Sequence, residues 1–167
     1  MGVPAVDPNT QSALMKAAVK FARHPAGRWF AINVSSRVDP LLLKASGGRA
    51  STFSMAPIVM LTVPGRKSGE PRTSALLYFS HGDDVVVIAS SFGRERHPAW
   101  YHNVMAHPEV TLTAGGQKAT YVAREATGEE RERLWAIANR LYAGYDDYKA
   151  RAASVGRTIP VLVLSPK

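Results

Sequence analysis

The sequence predicts an α+β fold, mainly β, in which about six antiparallel strands curl into a barrel with helices ahead of it and inserted within it. Three observations predict this. The second two-thirds of the chain holds short β-branched runs of strand length. Tight-turn signals join several of them. Two stretches that interrupt the runs carry helix-start signals instead.

The elements follow in order. Residues 1–9 contain two prolines and read as a loose arm. From Gln11 to Arg23, Leu14, Ala17, Ala18 and Phe21 recur at helical spacing with Lys16, Lys20 and Arg23 between them, a short basic amphipathic helix. Packing on the domain with its lysines in water is the plain reading; a weak membrane-surface contact is the alternative. A second short helix is expected over 27–38. Residues 44–54 (KASGGRASTFS) are small and polar, hence a loop or lid. Residues 1–54 thus form an N-terminal arm and helical segment, and 55–167 the barrel domain.

Pro57 to Val63 is the first strand. Ser74 to Ser80 and Val85 to Ser91 flank His81-Gly82-Asp83-Asp84, a hairpin connection, and Val110 to Ala114 and Lys118 to Arg124 flank Gly115-Gly116, a second. Ile159 to Leu164 is the last strand. Between them, His97 to Ala106 is a helix with Pro98 in its first turn. Another helix starts at Thr127-Gly128-Glu129-Glu130, where Thr127 and Glu130 have capping-box spacing, and runs through Leu134, Trp135, Ala138 and Leu141. There is no internal repeat.

The chain has 167 residues, which suits one domain, and a net charge of +8 with pI near 10.0, which favours an anionic partner. It has no cysteine, so disulfides, thiolate metal sites and a cysteine nucleophile are excluded. No signal-peptide core or bilayer-length apolar run is visible, and the expected location is cytoplasmic, with peripheral membrane contact as the variant. His97, His102 and His107 recur every five residues, which does not gather them on one helix face, so no metal site is expected. There is no nucleophile elbow, no dinucleotide fingerprint and no aromatic-and-basic recognition face for nucleic acid.

Three places can carry chemistry. The loop Pro64 to Arg72 (PGRKSGEPR) offers Arg66, Lys67 and Arg72 as cations, Ser68 as a hydroxyl, and glycines that expose amides to a ligand. A solvated basic hairpin turn is the competing reading. Ser90-Ser91-Phe92-Gly93 leads to a helix start bearing Trp100, Tyr101 and Asn103; Trp100 suits stacking on a planar group, or simply the core. Tyr142, Tyr145 and Tyr148 are spaced by three, which places them along one helical stripe or around the mouth of a loop near Gly144, as aromatic packing or as phenol donors able to polarise a hydride acceptor.

Taken together, GRKSGEPR, ALLYF, IASSFG, HPAWYHN, ATGEERERLW, the tyrosine trio and RTIPVLVLSP resemble the deazaflavin (F420)-dependent nitroreductase and quinone reductase family of actinobacteria, over roughly Pro57 to Pro166. The resemblance implies the split β-barrel of flavin-binding oxidases, coenzyme F420 without metal, and hydride transfer from reduced deazaflavin to a quinone, enone or nitro compound. It implies that Arg66, Lys67, Ser68 and Gly69 meet the cofactor's phosphate and oligoglutamate tail, with Pro71 and Arg72 just beyond. Ala89, Ser90 and Ser91 would lie against the ring, and Trp100 and Asn103 would border it. Tyr78, Ser90, Tyr142, Tyr145 and Tyr148 would line the acceptor side. Other classes remain open at this point: a flavin-mononucleotide enzyme on the same barrel, or a non-catalytic binder of cofactor, lipid or nucleic acid. A monomer or a homodimer is expected.

Overall fold

The computed structural model describes residues 2–10 and 56–167, with positions 24, 38, 41, 42 and 45. The helices expected over 11–23 and 27–38, the 44–54 loop and the boundary after residue 54 fall outside the described residues but for those isolated positions. With the first of these helices lies the expected membrane contact.

Six strands form a closed antiparallel barrel in the order β1-β2-β3-β6-β5-β4. They are β1 (Ile58–Pro64), β2 (Pro71–His81), β3 (Asp84–Ile88), β4 (Glu109–Ala114), β5 (Gln117–Glu125) and β6 (Val161–Pro166). The split-barrel expectation therefore holds. Closure is made by β1 against β4, with Leu61 opposite Leu112. The glycine turns act as expected: Gly82, Gly115 and Gly116 all have positive φ between paired strands. The last strand enters the ladder between β3 and β5, a non-local pairing with no local signal in the chain.

The period of two along β3 sorts its side chains into two cores. Val85 and Val87, with Leu61, Leu112, Leu162 and Leu164, fill the barrel interior. Val86 and Ile88 point the other way, into a second core with Phe79, Val161 and Val163. Two helices cover that outer face: α2 (Gly128–Leu141) through Leu134, Trp135 and Ala138, and α3 (Gly144–Ser154) through Tyr145, Tyr148 and Ala152. Burial on both faces explains why β3 and β6 read as unbroken apolar runs. Each fully buried Leu or Val contributes roughly 1.5–3 kcal/mol. A third helix, α1 (Ala99–Ala106), adds Trp100 and Val104 to the interior core.

Three local expectations change. Pro98 does not enter the helix; it is the extended residue before it, with ψ 149°. Thr127 precedes α2 but makes no side-chain cap bond. Glu130 turns instead to Arg124, which grips it through two bonds of 2.7 and 2.6 Å. A bidentate guanidinium outcompetes a single backbone amide for the carboxylate. The third strand ends at Ile88 rather than Ser91. The chain leaves it through a one-turn 3-10 segment, Ser91–Gly93, in which Ser91, Phe92 and Gly93 all have positive φ (48°, 56° and 74°).

Candidate active-site cleft

Two consecutive non-glycine residues in the left-handed region, as in that turn, persist only when their surroundings enforce them. The enforcement is visible. A Cβ on Gly93 would meet the Tyr148 carbonyl oxygen at 2.7 Å, so α3 lies against the turn. Arg151 donates to the Phe92 carbonyl, and the Phe92 ring meets Tyr148 edge-on at 5.9 Å.

A cleft of about 1380 Å³ opens beside α1, and the Ser91–Gly93 turn is not among the residues lining it. Its walls come from four stretches: the β1–β2 loop and start of β2, the approach to α1 with α1 itself, the end of β5 at Glu125, and residues 155–160. Arg66, Lys67, Ser68, Arg72, Trp100 and Asn103, six of the sequence-predicted positions, all line it.

The β1–β2 loop is built by its glycines, though not as expected. Gly65 donates to Glu70 O (2.8 Å) and Gly69 donates to Gly65 O (2.7 Å), so both amides are consumed in forming the turn. A Cβ at Gly65 would come within 2.8 Å of Ser68 Oγ, and Gly69 has φ 71°. The Arg66 amide donates to Asn103 Oδ1 at 3.1 Å, which ties the loop to α1 and gives Asn103 a structural task. Any anion here is left to the Arg66, Lys67 and Arg72 side chains and to the amides of Lys67 and Ser68. Among the described residues none of the three cations has an ion-pair partner. Gly69 and Pro71 belong to the same loop but do not line the cleft.

Trp100 is both core and cleft residue: it is 8% exposed, joins the interior core and lines the wall. The two readings of this side chain are compatible, because a large ring can pack on one side and present an edge or face on the other. Tyr101 donates to Glu125 Oε2 at 2.8 Å. Burial and that carboxylate push its hydroxyl up to about 12, so it stays protonated.

Arg157 was invisible to sequence reasoning and is the one buried charged side chain among the described residues. It donates to Ala89 O (3.3 Å) and Ser90 O, and its Nη1 meets His97 Nδ1 at 3.1 Å. A guanidinium only donates, so His97 accepts through Nδ1 and carries its proton on Nε2. Burial first, then Arg157 and His102, hold His97 below the usual imidazole range. Ala89, Ser90 and Ser91, expected against the ring, are not among the residues lining the cleft; Arg157, which does line it, holds the carbonyls of the first two from behind. His97 and His102 do come close, with ring centroids 5.9 Å apart, because His97 precedes α1 rather than lying on it. His107 is not among the residues lining the cleft with them, and no group of three metal-binding side chains occurs among the described residues.

A local signal for Arg157 exists in retrospect. Gly156 has φ 72°, its amide donates to Ala153 O, and the Arg157 amide donates to Ala152 O. These two bonds are the Schellman pattern that stops a helix at glycine. It ends α3 and turns the next side chain back towards the barrel.

The tyrosines lie elsewhere. Tyr142, Tyr145 and Tyr148 are 6%, 4% and 6% exposed, belong to the outer core and do not line the cleft. They are not one helical stripe, since Tyr142 ends α2 and the others sit in α3. Tyr142 and Tyr148 share a hydroxyl–hydroxyl bond of 2.9 Å. Burial drives the Tyr145 and Tyr148 hydroxyls well above the usual phenol range, so both remain donors. Tyr78 is also buried, pushed up to about 12, and donates to Pro4 O at 2.9 Å. The N-terminal arm covers this side, with Val6 touching both cores.

Residues 35–166 match the family model for F420H(2)-dependent quinone reductase. An F420H(2)-dependent quinone reductase of Mycobacterium tuberculosis is 36% identical over 112 residues, covering 65% of this chain and 73% of that one. A solved F420-H2 dependent reductase superposes with TM-score 0.59 at 36% identity, covering 65% of this chain and 94% of that one. A second solved structure, described as a domain-swapped dimer, gives TM-score 0.61 at 32% identity over 77% of this chain and 96% of its own.

Proposed function

The chain belongs to the F420H(2)-dependent quinone reductase family and is an F420H2-dependent oxidoreductase, and we propose that the cleft holds the cofactor with its anionic tail at Arg66, Lys67, Ser68 and Arg72. The observation that carries this reading is the loop itself: three cations, without ion-pair partners among the described residues, on one rim of a cleft whose inner wall includes Trp100 and Arg157. That polarity fits a ligand with a phosphate and several carboxylates at one end and a planar ring at the other. Gly69 and Pro71 shape the loop from behind. Asn103 and Trp100 border the ring, with Ser91 in the strained turn beyond.

When bound in reduced form, the deazaflavin supplies a hydride. The chain's part is to bind, orient and exclude water. We assign a quinone as acceptor, with Ser90, Tyr78 and the Tyr142–Tyr145–Tyr148 cluster assigned to the acceptor side. Reduction to the quinol takes a hydride and a proton. The raised hydroxyls stay protonated at neutral pH and favour donation of a hydrogen bond to the developing oxyanion. Residues 2–10 cover Tyr78, whose hydroxyl donates to Pro4 O. A homodimer is the assembly suggested by the domain-swapped relative, and sizing in solution tests it.

The test is a pair of binding titrations at low and high salt, with F420 and with the same deazaflavin lacking the phosphate and carboxylates. The reading expects binding of F420 to weaken as salt rises, and the tailless form to bind at least tenfold more weakly and with little salt dependence. Equal affinities for the two would remove the tail site from this loop.

A further inference from the structure

A buried guanidinium normally comes with a carboxylate, because desolvating a charge without a counter-charge costs several kcal/mol. Arg157 has none. It is 8% exposed, and among the described residues no carboxylate forms an ion pair with it. Its neutral partners are two carbonyls and His97. Three contacts occupy three of a guanidinium's five N–H donors. Of the donors left, Nε–H is itself buried without a partner.

The surroundings do not supply the missing charge. On the α1 side stand His97, which accepts from Arg157 as a neutral ring, and His102. On the β5 side the Glu125 carboxylate lines the same cleft, but it accepts from Tyr101 and forms no ion pair with Arg157 among the described residues. From the approach to α1, Glu95 and Arg96 line the cleft with opposite charges and cancel. Burial accordingly holds Arg157 below the ordinary arginine value. A fixed, largely buried cation that lines a cleft and keeps a free Nη2 donor is a site prepared for an anion.

We infer that Arg157 is a cofactor-binding residue for the ring rather than the tail: its guanidinium binds the acceptor-rich edge of the deazaflavin and selects the ring's anionic form. This rests on the cofactor placement proposed above, which puts the ring beside Trp100, on the wall that Arg157 also lines. The chemistry suits the ligand. The 8-hydroxyl of oxidised F420 is a phenol-type acid conjugated with the ring carbonyls, so its negative charge is shared across the heterocycle. A cation at the ring edge stabilises that anion and lowers the pH at which the hydroxyl ionises. Arg157 also holds the Ala89 and Ser90 carbonyls, so the same side chain shapes the wall and charges it.

The test reads the cofactor's colour, not turnover. Oxidised F420 is titrated with acid and base, free and bound to the wild-type protein, to Arg157→Gln, to Arg157→Lys and to Lys67→Gln. Binding to wild type is expected to lower the ring's ionisation pH by about 1 unit or more, a tenfold preference for the anion. Arg157→Gln should return it to the free value. Arg157→Lys, which keeps the charge without the fork, should fall between, and it carries the comparison if the glutamine variant does not fold. Lys67→Gln should weaken binding and leave the ionisation pH of the bound ring at the wild-type value. Wild-type protein that binds F420 with the free ionisation pH overturns the role of Arg157 and leaves the tail site standing. Absence of F420 binding overturns both.

Discussion

Replacing Gly93 by alanine should cost far more stability than replacing Gly82, though both glycines sit in turns with positive φ (74° and 62°). The shared term is the left-handed backbone, roughly 1–2 kcal/mol for any residue with a Cβ. At Gly82 nothing lies within 4 Å of the added carbon. At Gly93 it would meet the Tyr148 carbonyl oxygen at 2.7 Å and Tyr148 Cα and Arg151 Cβ at 3.0 Å. Those are mostly backbone atoms of α3, so the clash cannot be relieved by rotating a side chain. Overpacking of this kind adds about 1–3 kcal/mol. The expected totals are about 2–5 kcal/mol for Gly93→Ala and about 1–2 for Gly82→Ala. At about 2–4 °C per kcal/mol for a chain of this size, that is a fall in Tm of roughly 4–20 °C against 2–8 °C. Thermal and urea melts of the two purified variants decide it, and the Gly93 variant should also lose cofactor affinity because the Ser91–Gly93 turn must move. Equal losses in the two variants would refute the packing of α3 on the turn.

Replacing both Arg66 and Lys67 by alanine should raise the Kd for F420 by about 5–30-fold at low salt and by less at high salt, with Tm unchanged, because two exposed charges give up about 1–2 kcal/mol together. A fluorescence titration checks it. Stability should fall as pH drops from 7 towards 5. His97 is held below its ordinary value in the folded state, so the unfolded chain binds more protons in that window and gains on acidification. His97→Gln keeps an acceptor for Arg157 and should flatten the slope in pH-dependent urea melts. Tyr148→Phe breaks the 2.9 Å bond to Tyr142 and should cost about 1 kcal/mol; on the proposed acceptor side it should also lower kcat with little change in F420 affinity.

The strands were legible because their signals are local: β-branched runs end at glycines that must take positive φ, as at Gly82 and at Gly115-Gly116. The cationic loop was legible for the same reason, since Arg66, Lys67 and Ser68 are adjacent in the chain and reach the cleft together. What escaped depends on contacts between distant residues. The left-handed Ser91 and Phe92 follow from Tyr148 and Arg151 more than fifty positions away. The failed capping box reflects Arg124 arriving from β5 to take Glu130. Arg157 reads as one basic residue among many, and only its hydrogen bonds to Ala89 and Ser90 show that it is buried. Trp100 reads both as core and as ligand-facing because it packs in the interior core and also lines the cleft. The tyrosine spacing promised a cluster and delivered one, with ring centroids 5.3 to 6.2 Å apart, though in the outer core.

The central claim is hydride transfer from reduced F420 bound in this cleft to a quinone. Its most direct test is anaerobic mixing of the purified protein with F420H2 and a soluble quinone, following the return of oxidised-cofactor absorbance. F420H2 should be oxidised in one-to-one proportion with quinone, at a rate that saturates with both and is much slowed at low cofactor concentration in the Arg66→Ala/Lys67→Ala variant. A rate no faster than the mixture without protein, or one indifferent to the loop substitutions, would contradict it.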